Sequence, residues 1–292
     1  MPLRIGTRGS SLALAQTEQV CRALAGRGVE VETVIISTHG DSATDVPLHE
    51  IGGQGVFVRA LDDAIVRGRI DAAVHSMKDI PALRPAGVVT AAVLERDSPN
   101  DLLVHDLPFS EMSVIGTSST RRRAQLLRHD ADLDVHGLRG NVDTRLKKLR
   151  DGQYDGIVLA QAGLDRLGIA EGGTRLPVDR FVPSPNQGTI AVVSRDDPVV
   201  VDQISSLDHP PTRQDTAMER AVMEELEGGC FTPVGIYCRG GQLTAEVLSL
   251  DGDRFERVEE RVSHTDEARQ AGRDLRGIAD HLITEARTAL GI

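Results

Sequence analysis

Short apolar runs alternate with amphipathic segments over the first two thirds of the chain, which is typical of an α/β fold. The first part predicts strands at residues 3–6, 29–37, 70–74 and 88–94, with helices at 11–24 and 57–66. The second part predicts strands at 114–116, 135–138 and 157–160, each followed by a helix. A strand at 189–194 is expected to rejoin the first part. The pattern therefore predicts two α/β domains that are joined by two crossings and enclose a cleft.

The pattern changes after residue 209, where a helix at 212–227 precedes three strands and a final helix at 265–290. Gly240-Gly241 and Asp251-Gly252-Asp253 separate the strands at 233–239, 242–250 and 254–262, as expected for hairpin turns. This order predicts a small C-terminal α+β domain. The predicted limits are 1–95 with 188–208 for domain 1, 96–187 for domain 2 and 209–292 for domain 3.

The chain of 292 residues carries a net charge of −11, which opposes general attraction to nucleic acid or to an anionic membrane surface. Aromatic residues make up only 2% and tryptophan is absent, which disfavours base stacking. The N-terminus lacks the pattern of a signal peptide, and no run approaches the roughly 20 apolar residues of a membrane span. We expect a cytoplasmic protein that binds neither nucleic acid nor membrane, in which any anion-binding site is local.

Three cysteines without CxxC spacing predict neither a disulfide framework nor a zinc site, and we expect no metal. Cys21 lies in a predicted helix and Cys238 alternates with apolar residues in a predicted strand, which favours core positions for both. Cys230 is different, because it follows two glycines that end a helix and lies in a loop. The residues alone leave it a nucleophile or a point of covalent attachment.

Arginines and hydroxyl side chains are concentrated where predicted strands end. In open α/β sheets these ends face ligands, and helix N-termini there favour anions. The candidates are Arg8, Ser10, Ser118, Ser119, Arg121, Arg122, Arg139, Arg145 and Arg166. If they converge on one cleft, they would bind a ligand with several carboxylates, to which guanidinium groups are suited. The alternative is that most of them are surface arginines paired with the abundant acidic residues.

Two further segments carry candidate chemistry. The strand at 70–74 leads into His75-Ser76-Met77-Lys78-Asp79, where Asp79 beside the cationic Lys78 could exchange protons with a bound amine or pyrrole N–H. A surface ion pair and a structural histidine are the alternative interpretation. Gly52-Gly53-Gln54-Gly55-Val56-Phe57 lacks the spacing of a phosphate loop, so we expect either a glycine-hinged lid or a plain surface loop.

Several motifs together, in order and spacing across nearly the whole chain, resemble the porphobilinogen deaminase family. They are Thr7-Arg8-x-Ser10, Gly52-Gly53-x-Gly55-x-Phe57, His75-Ser76-Met77-Lys78-Asp79, Gly116-Thr117-Ser118-Ser119-x-Arg121-Arg122, Leu138-Arg139-Gly140-Asn141, Thr144-Arg145-Leu146, Ala162-Gly163-Leu164-x-Arg166-Leu167-Gly168 and Leu226-Glu227-Gly228-Gly229-Cys230. The third and the last of these blocks are the most specific, whereas the glycine block alone would not identify a family.

The resemblance implies two periplasmic-binding-protein-like α/β domains that form a cleft, plus a small C-terminal α+β domain. It implies an enzyme of tetrapyrrole biosynthesis that joins four porphobilinogen molecules head to tail with loss of ammonia, and then releases hydroxymethylbilane by hydrolysis. The product would grow from a dipyrromethane cofactor that Cys230 holds as a thioether. Asp79 would be the catalytic acid and base that assists ammonia loss, steadies the cationic azafulvene and helps to deprotonate the new junction.

The resemblance also assigns binding residues in a monomer whose partner is porphobilinogen. Each pyrrole carries an acetate and a propionate, which explains a need for many cations. Cofactor contacts are expected from Lys78, Ser118, Ser119, Arg121, Arg122, Arg139 and Gly163. Substrate contacts are expected from Arg8, Ser10, Arg145 and Arg166, and a lid from Gly52, Gly53, Gly55 and Phe57.

The sequence departs from the common bacterial pattern of the family in two places. Gln54 and Arg59 stand where lysines are frequent, and Pro185-Asn186 replaces a different pair before Gln187. Neither change affects Cys230 or Asp79. A two-lobed ligand-binding protein without catalysis is the main rival interpretation, and an unmodified Cys230 would favour it. A nucleic-acid-binding protein that uses Arg121-Arg122-Arg123 is a second rival, which the net charge and the scarcity of aromatic residues disfavour.

Overall fold

The computed structural model describes residues 1–37, 56–81, 84–226 and 232–291. The chain divides into two compact units. Unit 1 comprises Met1–Asp97 and Gly188–Arg213, and unit 2 comprises Ser98–Gln187 and Gln214–Ile292. The division into three domains with the limits given above stays a prediction.

Strands and helices alternate along the described residues as the hydrophobic pattern predicts. The strands are β1 (Leu3–Thr7), β2 (Val31–Ile35), β3 (Ala72–Ser76), β4 (Val88–Val93), β5 (Asp101–His105), β6 (Val114–Gly116), β7 (Asp134–His136), β8 (Gly156–Ala160), β9 (Gly173–Arg175), β10 (Ile190–Arg195), β11 (Val234–Arg239), β12 (Gln242–Leu248) and β13 (Phe255–Arg261). The helices are α1 (Ser11–Ala25), α2 (Val56–Val66), α3 (Thr120–His129), α4 (Val142–Arg150), α5 (Gln161–Leu167), α6 (Pro198–Ser205), α7 (Pro210–Glu225) and α8 (Thr265–Leu290). Short 3-10 helices cover Met77–Asp79 and Phe109–Glu111.

Unit 1 is built on a mixed sheet in the order β2-β1-β3-β10-β4. β1 is parallel to β2 and β3, whereas β10 is antiparallel to β3 and β4. The strand predicted at 189–194 therefore does rejoin the first sheet. One face of the sheet packs against Val20 and Leu24 of α1, and the other packs against Leu61 and Ile65 of α2. The central strand β3 is buried on both faces, which explains its apolar run.

The first part of unit 2 is a second sheet in the order β7-β6-β8-β5-β9. β6 is parallel to β7 and β8, while β5 is antiparallel to β8 and β9. Helices α3, α4 and α5 each follow one of the parallel strands, so their first turns lie at the carboxyl ends of those strands. This is the edge at which the sequence places most of the candidate arginines.

The C-terminal part of unit 2 is a small α+β layer, as predicted. Strands β11, β12 and β13 form an antiparallel sheet that packs with α7 and α8 around Val222, Leu226, Ile236 and Leu275. Gly240 and Gly241 both have positive φ in the two-residue turn between β11 and β12. The predicted fold class is confirmed: the sheets are α/β in the first two parts of the chain and α+β in the last.

Some predicted elements differ in detail. The sequence pattern did not predict β5, β9 or α6. β5 has only five residues and begins and ends with the polar residues Asp101 and His105, and β9 consists of three exposed residues. β3 lies two residues later than predicted, which brings His75 and Ser76 into the strand. Cys238 is buried as expected, whereas Cys21 is only half-buried, with its Sγ 3.6 Å from Thr33 Oγ1.

Candidate functional site

The first candidate residues follow β1 in unit 1. The Thr7 hydroxyl donates to the backbone oxygens of Arg8 and Ala13, which fixes the turn between β1 and α1. Ser10 is the N-cap of α1, since its Oγ accepts a hydrogen bond from Ala13 N at 3.4 Å. Arg8 and Ser10 are both half-buried at this carboxyl end of the strand. The structure therefore places them at the edge where the sequence predicts ligand binding.

The segment that carries Asp79 begins at the carboxyl end of the neighbouring strand β3. Buried Met77 anchors it, because Met77 N donates to Thr189 O at 2.9 Å. Ser76 Oγ accepts a hydrogen bond from Gln16 Nε2 at 2.8 Å. The 3-10 turn leaves Lys78 half-buried and the Asp79 side chain exposed. Asp79 is thus held on a fixed backbone while its carboxylate stays accessible for proton exchange.

His75 lies in β3 just before this turn and is only 6% exposed. Burial, reinforced by the positive charges of Arg84 and Arg8, lowers the pKa of His75 to about 3. The ring is therefore neutral at physiological pH, which contradicts any role as a neutral-pH acid. Arg84 also donates to the buried Asp62 at 2.6 Å.

The candidate serines of unit 2 lie between β6 and α3. Ser119 is the N-cap of α3, and its Oγ accepts from Arg122 N at 3.4 Å. Ser118 Oγ donates to Leu138 O at 2.8 Å, which ties this loop to the end of β7. Gly116 precedes the loop, and a side chain there would collide with the Tyr154 ring. Close packing and capping together fix the backbone at this helix N-terminus.

Arg121 and Arg122, at the start of α3, are buried rather than spread on a surface. Both donate to the Asp101 carboxylate, Arg121 Nη2 at 2.8 Å and Arg122 Nη2 at 2.7 Å. Arg121 also donates to Gln125 and to Val182 O. Asp101 is not predicted from the sequence. It is the first residue of a short strand, and nothing in the neighbouring sequence indicates that its partners lie about 20 residues away.

A second group of arginines surrounds α4 in the same unit. Asn141 caps this helix by accepting from Thr144 N at 2.9 Å, and Arg145 Nε donates to Gly140 O at 2.8 Å. Burial, followed by the charges of Arg122 and Arg139, lowers the pKa of Arg145 to about 10. The positive charges of Arg122 and Arg139 thus act on Arg145 in addition to its burial.

The remaining described site residues of unit 2, Gly163 and Arg166, lie on α5. Arg166 is half-buried in the last turn of α5, and Gly163 is buried within the helix. Cys230 and the lid glycines Gly52, Gly53 and Gly55 lie outside the described residues, and Phe57 lies in α2. In the described ranges, no helix is long and apolar enough to span a membrane, and no cluster of His, Cys, Asp and Glu could bind a metal.

The arrangement in unit 2 fits a ligand that carries carboxylates. Arg121 and Arg122 offset their charge with a single carboxylate, so the pair retains a positive charge. The Nε atoms of both are buried and have no hydrogen-bond partner among the described residues. Positive charge continues to Arg139 and Arg145. A group with several carboxylates would supply hydrogen-bond acceptors for these guanidinium groups.

Comparison with known proteins gives consistent results over most of the chain. The family model described as "Porphobilinogen deaminase, dipyromethane cofactor binding domain" matches residues 3–203, and that described as "Porphobilinogen deaminase, C-terminal domain" matches residues 214–278. A probable porphobilinogen deaminase of Methanosarcina acetivorans is 53% identical, covering 88% of this chain and 84% of the relative. A porphobilinogen deaminase of Trichlorobacter lovleyi is 39% identical, covering 99% of this chain and 95% of the relative.

The chain is also similar to solved structures that share little sequence with it. A periplasmic substrate-binding protein of an ABC transporter from Coxiella burnetii is 15% identical, covers 75% of this chain and 96% of its own, and has a TM-score of 0.44. The first family model and the two relatives, in contrast, each cover most of the sequence. The chain therefore belongs to the porphobilinogen deaminase family.

Proposed function

We propose that Asp79 is the catalytic acid and base of this enzyme, and that Cys230 holds its dipyrromethane cofactor as a thioether. As a member of the porphobilinogen deaminase family, the chain is a transferase, a hydroxymethylbilane synthase. It condenses four porphobilinogen molecules head to tail with loss of ammonia and releases hydroxymethylbilane by hydrolysis. The proposal concerns the role of each side chain in this reaction.

The observation that carries the proposal is the cluster of Arg122, Arg139 and Arg145 at the carboxyl edge of the unit 2 sheet. Burial and the two neighbouring cations lower the pKa of Arg145 to about 10, so concentrated positive charge is built into a protein whose net charge is −11. Such a cluster costs free energy unless an anion is bound. A chain of pyrroles, each with an acetate and a propionate, supplies the anions in the required number.

The cofactor would supply the primer on which the product grows, and the side chains of the protein would bind and orient the cofactor and the substrate. The residues that would hold the cofactor are Lys78, Ser118, Ser119, Arg121, Arg122, Arg139 and Gly163. Arg8, Ser10, Arg145 and Arg166 would hold the carboxylates of substrate. The guanidinium groups act by fixing the pyrroles in place, which lowers the entropic cost of bringing the reacting carbons together.

Asp79 would act at two positions of the substrate. Its carboxyl group would give a proton to the departing amino nitrogen, and its carboxylate would accept a hydrogen bond from the pyrrole N–H as positive charge develops on the ring. The carboxylate would then take the proton from the carbon at the new junction. Its exposure at the end of β3, on a backbone that Met77 anchors, suits this role.

The rest of the proposal concerns the organisation of the molecule. Domain 1 would carry Asp79, domain 2 the arginines and domain 3 the cysteine, with Gly52, Gly53, Gly55 and Phe57 in a lid. The enzyme would act as a monomer in the cytoplasm. The two cysteines in the described part of the chain, Cys21 and Cys238, are free thiols, which is consistent with a reducing compartment.

The role of Asp79 is tested by Asp79→Asn, with Asp63→Asn on the exposed face of α2 as a control of equal charge change. We expect Asp79→Asn to keep its circular dichroism spectrum but to lower kcat for porphobilinogen consumption by about 100-fold or more, because a proton-transfer group contributes on that order. Asp63→Asn should retain wild-type kcat. Wild-type turnover by Asp79→Asn would remove Asp79 from the mechanism.

A further inference from the structure

The Asp101 carboxylate occupies the centre of the arginine pair in unit 2. It is 1% exposed, at the start of β5, and receives three hydrogen bonds. Arg121 Nη2 donates to Oδ2 at 2.8 Å, and Arg122 Nη2 donates to Oδ1 at 2.7 Å. Gln187 Nε2 also donates to Oδ1, at 2.8 Å. Each carboxylate oxygen thus binds one of the two guanidinium groups.

Asp101 is ionised despite its burial. Desolvation acts to raise its pKa, but the charges and hydrogen bonds of Arg121 and Arg122 outweigh it and hold the pKa well below the usual range. Two buried guanidinium groups side by side repel each other, and the shared carboxylate offsets that repulsion. The spacing and direction of the pair therefore depend on Asp101.

Further hydrogen bonds to the protein hold the guanidinium groups of Arg121 and Arg122. Arg122 Nη1 donates to Val158 O at 2.9 Å, and Arg121 Nη1 donates to Gln125 Oε1 at 2.8 Å and to Val182 O at 3.0 Å. Each Nη atom of both residues therefore donates a hydrogen bond to an oxygen atom of the protein. The two Nε atoms have no partner in the described part of the chain. The pair is thus fixed in one orientation with donor capacity remaining on its Nε edges.

We propose that Asp101 is a positioning residue, which fixes Arg121 and Arg122 in the orientation that receives the carboxylates of the dipyrromethane. This inference rests on the proposed function, because it assumes that the pair binds this cofactor. Asp101 itself touches neither cofactor nor substrate. It acts through geometry and charge: a carboxylate that accepts from both arginines keeps them in place, and a neutral or displaced group at this position lets one of them turn away.

The test is the fraction of purified protein that carries the dipyrromethane mass increment, together with kcat and KM of the loaded fraction. Asp101→Asn keeps the shape but removes the charge, and its amide NH2 group, unlike the carboxylate oxygen it replaces, cannot accept from the guanidinium group that faces it. We expect its loaded fraction to fall by about tenfold, since misplacement of a binding group by about 1 Å has effects of this order or larger. Molecules that do carry the cofactor should also have a lower kcat than wild type, because the same two arginines hold the pyrroles in place for reaction.

Unit 1 offers a matched control in Asp71, whose carboxylate also lies between two arginines. Arg4 Nη2 donates to its Oδ1 at 2.9 Å and Arg195 Nη1 at 2.6 Å, and both arginines are more exposed than Arg121 and Arg122. This pair lies at the start of β3, away from the carboxyl ends of the parallel strands. Asp71→Asn should reduce stability but leave the loaded fraction unchanged. An equal loss of loading in both variants would show general destabilisation and overturn the proposal.

Asp101→Glu provides a second variant in case Asp101→Asn does not fold. It keeps the charge but extends the side chain by one bond of about 1.5 Å, so it changes the position of the pair more than its electrostatics. We expect a folded protein with a reduced loaded fraction. Full loading of Asp101→Glu would overturn the positioning role. Absence of the increment from wild-type protein would instead contradict the proposed function itself.

Discussion

At the scale of single residues, His75 shows how burial decides chemistry that the sequence leaves open. The motif places a histidine four residues before Asp79, where a second proton carrier is conceivable. In the fold, its ring is buried beside the cationic Arg8 and Arg84, and burial is the main reason that its pKa falls to about 3. A neutral ring that resists protonation serves the structure of the β3 end and not proton transfer.

His75 therefore predicts a specific loss of stability in acid. Its pKa is lower in the folded state than in the unfolded chain, so the unfolded state binds a proton first as the pH falls below about 6.5. We expect His75 to account for a loss of roughly 2 kcal/mol in the free energy of unfolding between pH 7.5 and 5. Urea unfolding at both pH values measures it, with His75→Asn lacking that part of the loss. An identical loss in both proteins would contradict the burial of a neutral ring.

The positions of some site residues can be predicted from the sequence, whereas their partners in the fold cannot. Arg8 and Arg145 were predicted at strand ends because their motifs follow apolar runs directly, and they lie there. The partners of Arg121 could not be predicted in the same way. Asp101 and Val182 come to it from 20 and 61 positions away, and only the pairing of β5 with β8 brings the carboxylate to the arginines.

At the scale of elements, helix α8 depends on a close approach to α7. Gly272 faces α7, where an added Cβ would lie 3.0 Å from Glu225 Cβ and 3.1 Å from the Val222 backbone. Gly277 lies one and a half turns further along α8, is exposed and has open space around its Cα. The two glycines thus have different reasons to be present in one helix.

Alanine at these two positions should have opposite effects. We expect Gly277→Ala to raise the free energy of unfolding by about 0.5–1 kcal/mol, because it removes a flexible residue from a helix interior. Gly272→Ala should lower it by about 1–3 kcal/mol, because the α7 backbone cannot move without disturbing the core. Chemical unfolding of both variants measures the difference. Equal stabilisation by both changes would mean that the helices are not in close contact.

The boundaries of elements follow the sequence where capping and apolar periodicity agree. The 26-residue helix α8 was predicted at its observed limits, since Thr265 opens a long amphipathic pattern. β9 was not, because Gly173–Arg175 is an exposed edge strand with no apolar residue, and only its pairing with β5 defines it. Such a strand is a product of tertiary contact, for which local propensity gives no signal.

At the scale of the whole molecule, an acidic protein binds an anionic substrate. The net charge of −11 repels carboxylates at long range, whereas the cations near Arg145 attract them locally. At about 0.1 M salt the screening length is about 10 Å, so the local cluster should dominate binding and the net charge should matter little.

The salt dependence of KM follows from this balance. We expect KM for porphobilinogen to rise by roughly severalfold between about 0.05 and 0.5 M NaCl, because salt screens the attraction of the arginines. Arg145→Gln should flatten this dependence. Arg150→Gln, at the end of the same helix and paired with Glu171, should leave it unchanged. A KM that falls as salt is added would show that the net charge governs binding instead.

The central claim is that Cys230 carries a dipyrromethane, and intact-mass measurement of the purified protein tests it most directly. The account predicts that wild-type protein is heavier than its sequence by one dipyrromethane and that Cys21→Ser keeps this increment. Cys230→Ser should have the bare mass and no turnover of porphobilinogen. A fully active wild-type protein with an unmodified Cys230 would contradict the account.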